Sequence, residues 1–178
     1  KGKDCSIIFY EHPKYLLKFT NGPHLEQSIN FFEEITEFVK KLNPEIKSKV
    51  KFRVKANRGF NAEKKFSEIF SEKNIDKVSS ENSYSNQILK SKLIIVTYPQ
   101  TAFSEAMYSN VPTILIIKKK FWKFSETATN IFNDLKKNNI AFEDFKEANT
   151  HVNKHWKEIE LWWESSNVQL ARKNFLKN

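Results

Sequence analysis

Two hydrophobic rhythms alternate along this chain. The runs "SIIFY", "LIIVTY" and "TILII" are apolar without interruption, as in strands buried on both faces. "VKFRV" alternates as a strand, and "DKVS" predicts a weaker short one. Between the runs the apolar spacing becomes helical. In "HLEQSINFFEEITEFVKKLN" it marks Leu25, Ile29, Phe32, Ile35, Phe38, Val39 and Leu42, and Asn43 with Pro44 predicts the stop. "NAEKKFSEIFSEK" predicts an amphipathic helix with Asn61 as N-cap, and "SYSNQILKS" a shorter one. A compact helix starts near Thr101, and after "TILII" only helices are expected.

Strands alternating with helices, without hairpin signals, predict an α/β fold: a Rossmann-like parallel sheet with helices on both faces. No linker or internal repeat divides the chain, so residues 1–178 are expected to form one domain with a helical tail from about 143 to 178. The tail predicts two helices with a break near "ESSN". It offers Trp156, Trp162, Trp163, Val168, Leu170 and Phe175 as apolar surface.

Composition narrows the chemistry. The formal charge is +9, but only three of the 30 basic residues are arginines, Arg53, Arg58 and Arg172. The lysines are scattered, which describes solvated helix faces better than a nucleic-acid stripe, and no nucleic-acid partner is expected. With only three glycines, Gly2, Gly22 and Gly59, the Walker, dinucleotide and GxSxG motifs are absent. Cys5 is alone and reads as a small core residue. His151 and His155 have helical metal-pair spacing, but position 152 is valine and no third ligand stands out, so no metal site is expected. There is no membrane-spanning run and no signal-peptide pattern, which points to a cytoplasmic location. The start "KGKDCSIIFY" reads as a fragment of something longer.

Ligands of open parallel sheets sit beyond the carboxyl ends of the strands. Residues following the predicted strands are therefore the candidates. They are Glu11, His12, Lys14 and Tyr15; Arg53, Lys55, Asn57 and Arg58; Ser80, Asn82 and Ser83; and Thr97, Tyr98, Gln100, Thr101, Ser104 and Glu105. In "TYPQTAFSEA" a helix beginning near Thr101 would aim free N–H groups and its positive dipole end into the cleft, an anion site that needs no glycine. Glu105, one turn in, could accept hydrogen bonds from a diol; the plainer alternative is that Thr101 caps the helix and Glu105 serves its dipole. Arg53 could grip a diphosphate or join a surface ion pair.

"VTYPQTAFSEAMYSNVPTILI" resembles the donor-side turn of GT-B glycosyltransferases. The chain as a whole resembles the C-terminal part of a family of transferases from bacterial surface-carbohydrate biosynthesis clusters. Further likeness lies in "YLLKFTNGPHLEQSINFFEEITEFVKKL", "KFRV" with "GFNAEKKF", "FNDLKKNNIAFEDFKEANTHVNKHW" and "IELWWESSNVQLARKNF". The resemblance implies a donor-binding half-enzyme of GT-B type that takes a group from a nucleotide-activated donor, with no metal or other cofactor. An N-terminal acceptor domain would be missing, so the chain alone should bind donor without turnover. It implies donor contacts from Arg53, Thr97, Tyr98, Gln100, Thr101 and Glu105, with Ser80 and His12 at neighbouring strand ends, and leaves the catalytic residues unassigned. Trp162 and Trp163 would brace the two domains. Pro99, Gln100 and Ser104 depart from the family's usual residues, leaving the donor's identity open. The acceptor would be a carbohydrate or lipid-linked, which allows peripheral contact with the inner membrane face. Two rival readings are a sugar-nucleotide 2-epimerase on the same architecture and a basic α/β module for nucleic acid or anionic membrane.

Overall fold

The computed structural model describes residues 2–11, 25–55, 60–77, 79 and 83–177. Five parallel strands form its sheet: β1 (Asp4–Tyr10), β2 (Val50–Lys55), β3 (Ser91–Val96), β4 (Thr113–Ile116) and β5 (Ala141–Phe142). Their spatial order is β2-β1-β3-β4-β5. The apolar runs become the buried centre because each residue of β4, and nearly every one of β1 and β3, is covered from one side or the other. In the register, Ile8 of β1 lies between Arg53 of β2 and Val96 of β3.

Helices cover both faces. On one side α1 (Leu25–Lys40), α3 (Ala62–Ile69) and α7 (Phe145–His155) enclose a core rich in phenylalanine, with Phe52 and Phe66 stacked at 4.1 Å. On the other side α4 (Tyr84–Lys90), α5 (Thr101–Tyr108), α6 (Glu126–Lys137), α8 (Ile159–Trp163) and α9 (Ser166–Leu176) pack over Ile8, Ile94, Val96 and Leu115. Alternate strand residues point to opposite faces, so each strand feeds both cores. Cys5 is fully buried, and burial, then Asp4, pushes its thiol up to about 12, as befits a core side chain.

Several predicted elements change in detail. The expected "DKVS" strand reduces, among the described residues, to one parallel bridge between Ile75 and Phe52. The Asp76 N–H reaches the Phe52 carbonyl at 2.8 Å, and its carboxylate turns to Arg53. Counting that bridge as a reduced edge strand gives the order 3-2-1-4-5-6, the Rossmann arrangement. Helices alone were expected after "TILII", but β5 adds a two-residue strand to the far edge, pairing with Leu115 and Ile116. Ile29 is 42% exposed, whereas Phe31 and Phe32 turn inward, rotating the buried face of α1 from its predicted line. Pro44 opens α2 (Pro44–Lys47), a single turn, after α1 has already ended at Lys40. In the tail, a 3₁₀ turn at Trp156–Glu158 separates α7 from α8, and the second interruption at Glu164–Ser165 matches the expected break. Leu170 is 59% exposed and adds little to the apolar surface offered by the tail.

Candidate functional site

The chain leaves β1 towards β2 on one side, then returns to β3 on the other. The carboxyl ends of β1 and β3 therefore flank the switch point where ligands of such sheets bind. Two polar constellations meet there, one on each face of the sheet.

The first surrounds Glu11, directly after β1. This carboxylate is 1% exposed and accepts the N–H groups of Phe60 (2.8 Å), Asn61 (3.1 Å) and Ala62 (3.0 Å). It occupies the N-terminus of α3, an anion site by geometry and dipole. Asn61 was expected to cap α3 with its side chain. It holds the N-cap position at φ 58° but makes no side-chain cap bond, because Glu11 from another strand supplies the acceptor. Thr97 lies beside this group: its hydroxyl donates to the Ile8 carbonyl at 3.0 Å, and with Glu11 and Phe60 it lines a hollow of about 20 Å³. Its hydroxyl thereby ties β3 to β1.

The second constellation lies on the α4–α5 face. Arg53 shares that face with its register partner Ile8, and it is not a surface residue: it is 6% exposed and pairs with Asp76 at 2.8 Å. Tyr10 and Tyr98 rings pack at 5.3 Å, and the Tyr84 hydroxyl donates to the Ala102 carbonyl at 2.8 Å. Burial, with Tyr98 and Glu105 adding to it, pushes the Tyr84 phenol well above its ordinary value. Burial and then Glu105 do the same to Tyr98, against the opposing pull of Arg53. Both hydroxyls therefore stay protonated, and that of Tyr84 donates. Tyr98 is 1% exposed, and among the described residues its hydroxyl has no hydrogen-bond partner. A buried hydroxyl without a partner costs about 1–3 kcal/mol, which a ligand acceptor would recover.

Between these groups stands the N-terminus of α5. Gln100 occupies the N-cap position without a side-chain cap bond, so Thr101 begins the helix and does not cap it. Both side chains are exposed. Glu105, also exposed, faces the shallow groove between α4 and α5 beside Ser85 and Tyr108. The structure thus gathers Arg53, Tyr98 and Glu105 into one electrostatic neighbourhood and leaves Gln100 and Thr101 at its rim. Thr97 belongs to the Glu11 side. His12 and Ser80 lie outside the described residues, as do Lys14, Tyr15, Asn57, Arg58 and Asn82.

Tyr10, Asp76 and Tyr84 were not among the sequence candidates. Tyr10 had a signal, since it follows Ser6 and Ile8 on one face of β1. Asp76 and Tyr84 had none beyond their charge and the Ser83 N-cap. Elsewhere, the His151 and His155 rings lie 4.6 Å apart and, among the described residues, no three His, Cys, Asp or Glu side chains gather to hold a metal. Trp163, expected to brace two domains, donates within this chain to the Asn110 carbonyl and side chain at 3.2 and 3.0 Å. Trp162 donates to the Asn138 carbonyl at 3.4 Å.

The family model of the LIC12162 family transferases matches residues 1–178. The chain belongs to the LIC12162 transferase family. No curated protein and no solved structure matches it. Membership makes the protein a transferase, and the Rossmann-like sheet of this LIC12162 family member sets its polar residues at the switch point.

Proposed function

We propose that this transferase binds a nucleotide-activated donor at the switch point and passes on a sugar or related group, as a metal-independent GT-B-type enzyme of surface-carbohydrate synthesis. The observation that carries the reading is the Tyr98 hydroxyl, buried and unpartnered, three residues before the open N-terminus of α5. The donor diphosphate meets the first N–H groups of α5, where the helix dipole favours negative charge. Donor binding displaces the cover over Tyr98, whose shielded hydroxyl then donates to a phosphate or ribose oxygen, and Glu105 accepts from a diol. Arg53 positions this wall through Asp76. The fixed dipoles become more effective as negative charge grows on the departing diphosphate, which is stabilisation of a leaving group.

The test is a thermal-shift and calorimetric titration against nucleoside diphosphates and CMP at two salt concentrations. One nucleotide should stabilise the protein selectively and keep doing so at high salt. Tyr98→Phe should weaken that binding about tenfold, the value of one hydrogen bond, while leaving thermal stability equal or higher. Arg53→Ala is less informative because it removes the 2.8 Å ion pair with Asp76 and should lower stability as well as binding. Equal weak shifts with every polyanion, vanishing in salt, would sink the reading.

A further inference from the structure

The segment after β4 reads Lys118-Lys119-Lys120-Phe121-Trp122-Lys123-Phe124, four cations and three aromatic rings without one carboxylate. It leaves the carboxyl end of β4, on the same edge of the sheet as the α5 turn. Lys118 pairs with Glu34 at 2.9 Å. Lys119, Lys120 and Lys123 have no ion-pair partner among the described residues, and Lys120 and Lys123 are exposed. The Lys120 ammonium lies 5.1 Å from the Phe121 ring and that of Lys119 5.8 Å from Phe132, so the charges are stationed over hydrophobic surface. Phe121, Trp122 and Phe124 are half-buried.

Phe124 is a shared wall. On one side it closes a hollow with Lys119, Lys120, Trp122 and Lys123, whose one carboxylate, Glu143, is paired with Lys136 at 2.8 Å. On the other it borders an open groove of about 500 Å³ between α5, α6 and α9, walled mainly by Phe103, Leu115, Ile131, Leu135 and Phe175. Pro99 of the α5 turn lies at the groove's edge, and Leu176 in its rim is 37% exposed. A cationic surface and an apolar groove thus lie side by side along one edge of the molecule.

From the juxtaposition of unpaired lysines, half-buried aromatic rings and an apolar groove, we propose that this edge docks on an anionic lipid bilayer. Lysines reach the phosphate layer, Trp122 and Phe121 sit at headgroup depth, and the groove takes an acyl chain. A single-stranded nucleic acid could also use lysines and rings. The bilayer is favoured because the groove offers carbon where bases would need polar edges, and because the segment holds no arginine. Among the described residues no helix is long and apolar enough to cross a membrane, so the contact is peripheral. The inference concerns an edge next to the proposed donor site and stands whether or not a nucleotide binds there.

The experiment is flotation of the whole chain with vesicles of phosphatidylcholine alone or with a third phosphatidylglycerol. Binding is expected to the anionic vesicles only, and Lys119→Glu/Lys120→Glu/Lys123→Glu should weaken it at least tenfold, since each lysine near such a surface is worth several-fold. The matched control, Lys41→Glu/Lys154→Glu/Lys157→Glu, makes the same charge change with exposed residues just after α1, in α7 and in the turn that follows α7. It should lose less than about threefold, because lysines away from the contact act only through the long-range field. Trp122→Ser should separately abolish quenching of tryptophan fluorescence by brominated lipid. No binding to anionic vesicles, equal losses in both triple variants, or loss of oligonucleotide binding without any vesicle binding would each overturn the proposal.

Discussion

At the residue scale, buried polar groups divide by what they touch. Glu11 accepts the N–H groups of Phe60, Asn61 and Ala62 at the start of α3, so it caps that helix. Glu11→Ala should cost about 2–3 kcal/mol in urea unfolding, because it strands those donors at a buried helix end; a loss under 0.5 kcal/mol, roughly that of an ordinary surface change, would refute this. His151 is 8% exposed and its Nε2 has no partner among the described residues. Burial, then His155 and Lys154, lowers its pKa from 6.5 to about 4. Its contribution is present in full above the unfolded value of 6.5 and is lost as pH falls towards 4, where the folded ring must take up its proton. Stability should fall by about 2 kcal/mol across that window, after discounting for solvent at the ring edge. His151→Phe should flatten the profile, as read from urea midpoints at several pH values.

At the element scale, the C-terminal helices are fastened to the end of α5, with Asn110 taking two of the bonds. Asn110 follows α5 at φ 55°, and its side chain accepts from Trp163 at 3.0 Å and Gln169 at 3.2 Å. Arg172 of α9 adds bonds to the carbonyls of Met107 (2.6 Å) and Tyr108 (3.1 Å). The left-handed backbone favours asparagine or glycine, and the acceptor needs the amide. Asn110→Gly should therefore cost about 1 kcal/mol and Asn110→Ala about 1 kcal/mol more, from lost bonds and then from backbone strain. Equal losses in calorimetric stability would deny the backbone a part. The helices themselves were legible, since Val168 and Phe175, seven residues apart, mark an inward face of α9. Their anchor on Asn110 was not, because a contact more than fifty residues away leaves no local period.

For the whole molecule, charge opposes compaction. The formal charge is +9, and its described ion pairs are mostly exposed, with Lys64–Glu68 and Lys77–Glu72 at 3.7 and 3.4 Å. Exposed pairs contribute little, whereas net repulsion acts over the Debye length. Raising salt from about 10 to 150 mM, which shortens that length from about 30 to 8 Å, should raise the urea midpoint modestly. A fall would mean that the ion pairs outweigh the repulsion.

The sequence by itself determined the type and order of the main elements, though not of β5 or the Ile75 bridge. Unbroken apolar runs suit only strands covered on both faces, and a 3.6-residue period suits only helices with one dry side. It also determined the turn at 97–101, because a strand leading directly into a helix must present backbone N–H groups there. Tertiary structure decided which groups meet. Glu11 caps a helix some fifty residues downstream, Arg53 is drawn inside by Asp76, and the Tyr84 hydroxyl reaches the Ala102 carbonyl. It also decided the marginal pairings, β5 and the Ile75 bridge, which are too short to carry a period and exist because a neighbouring strand offers its edge. Local pattern encodes which way a side chain faces, but its partner is chosen by the folding of distant strands onto one edge.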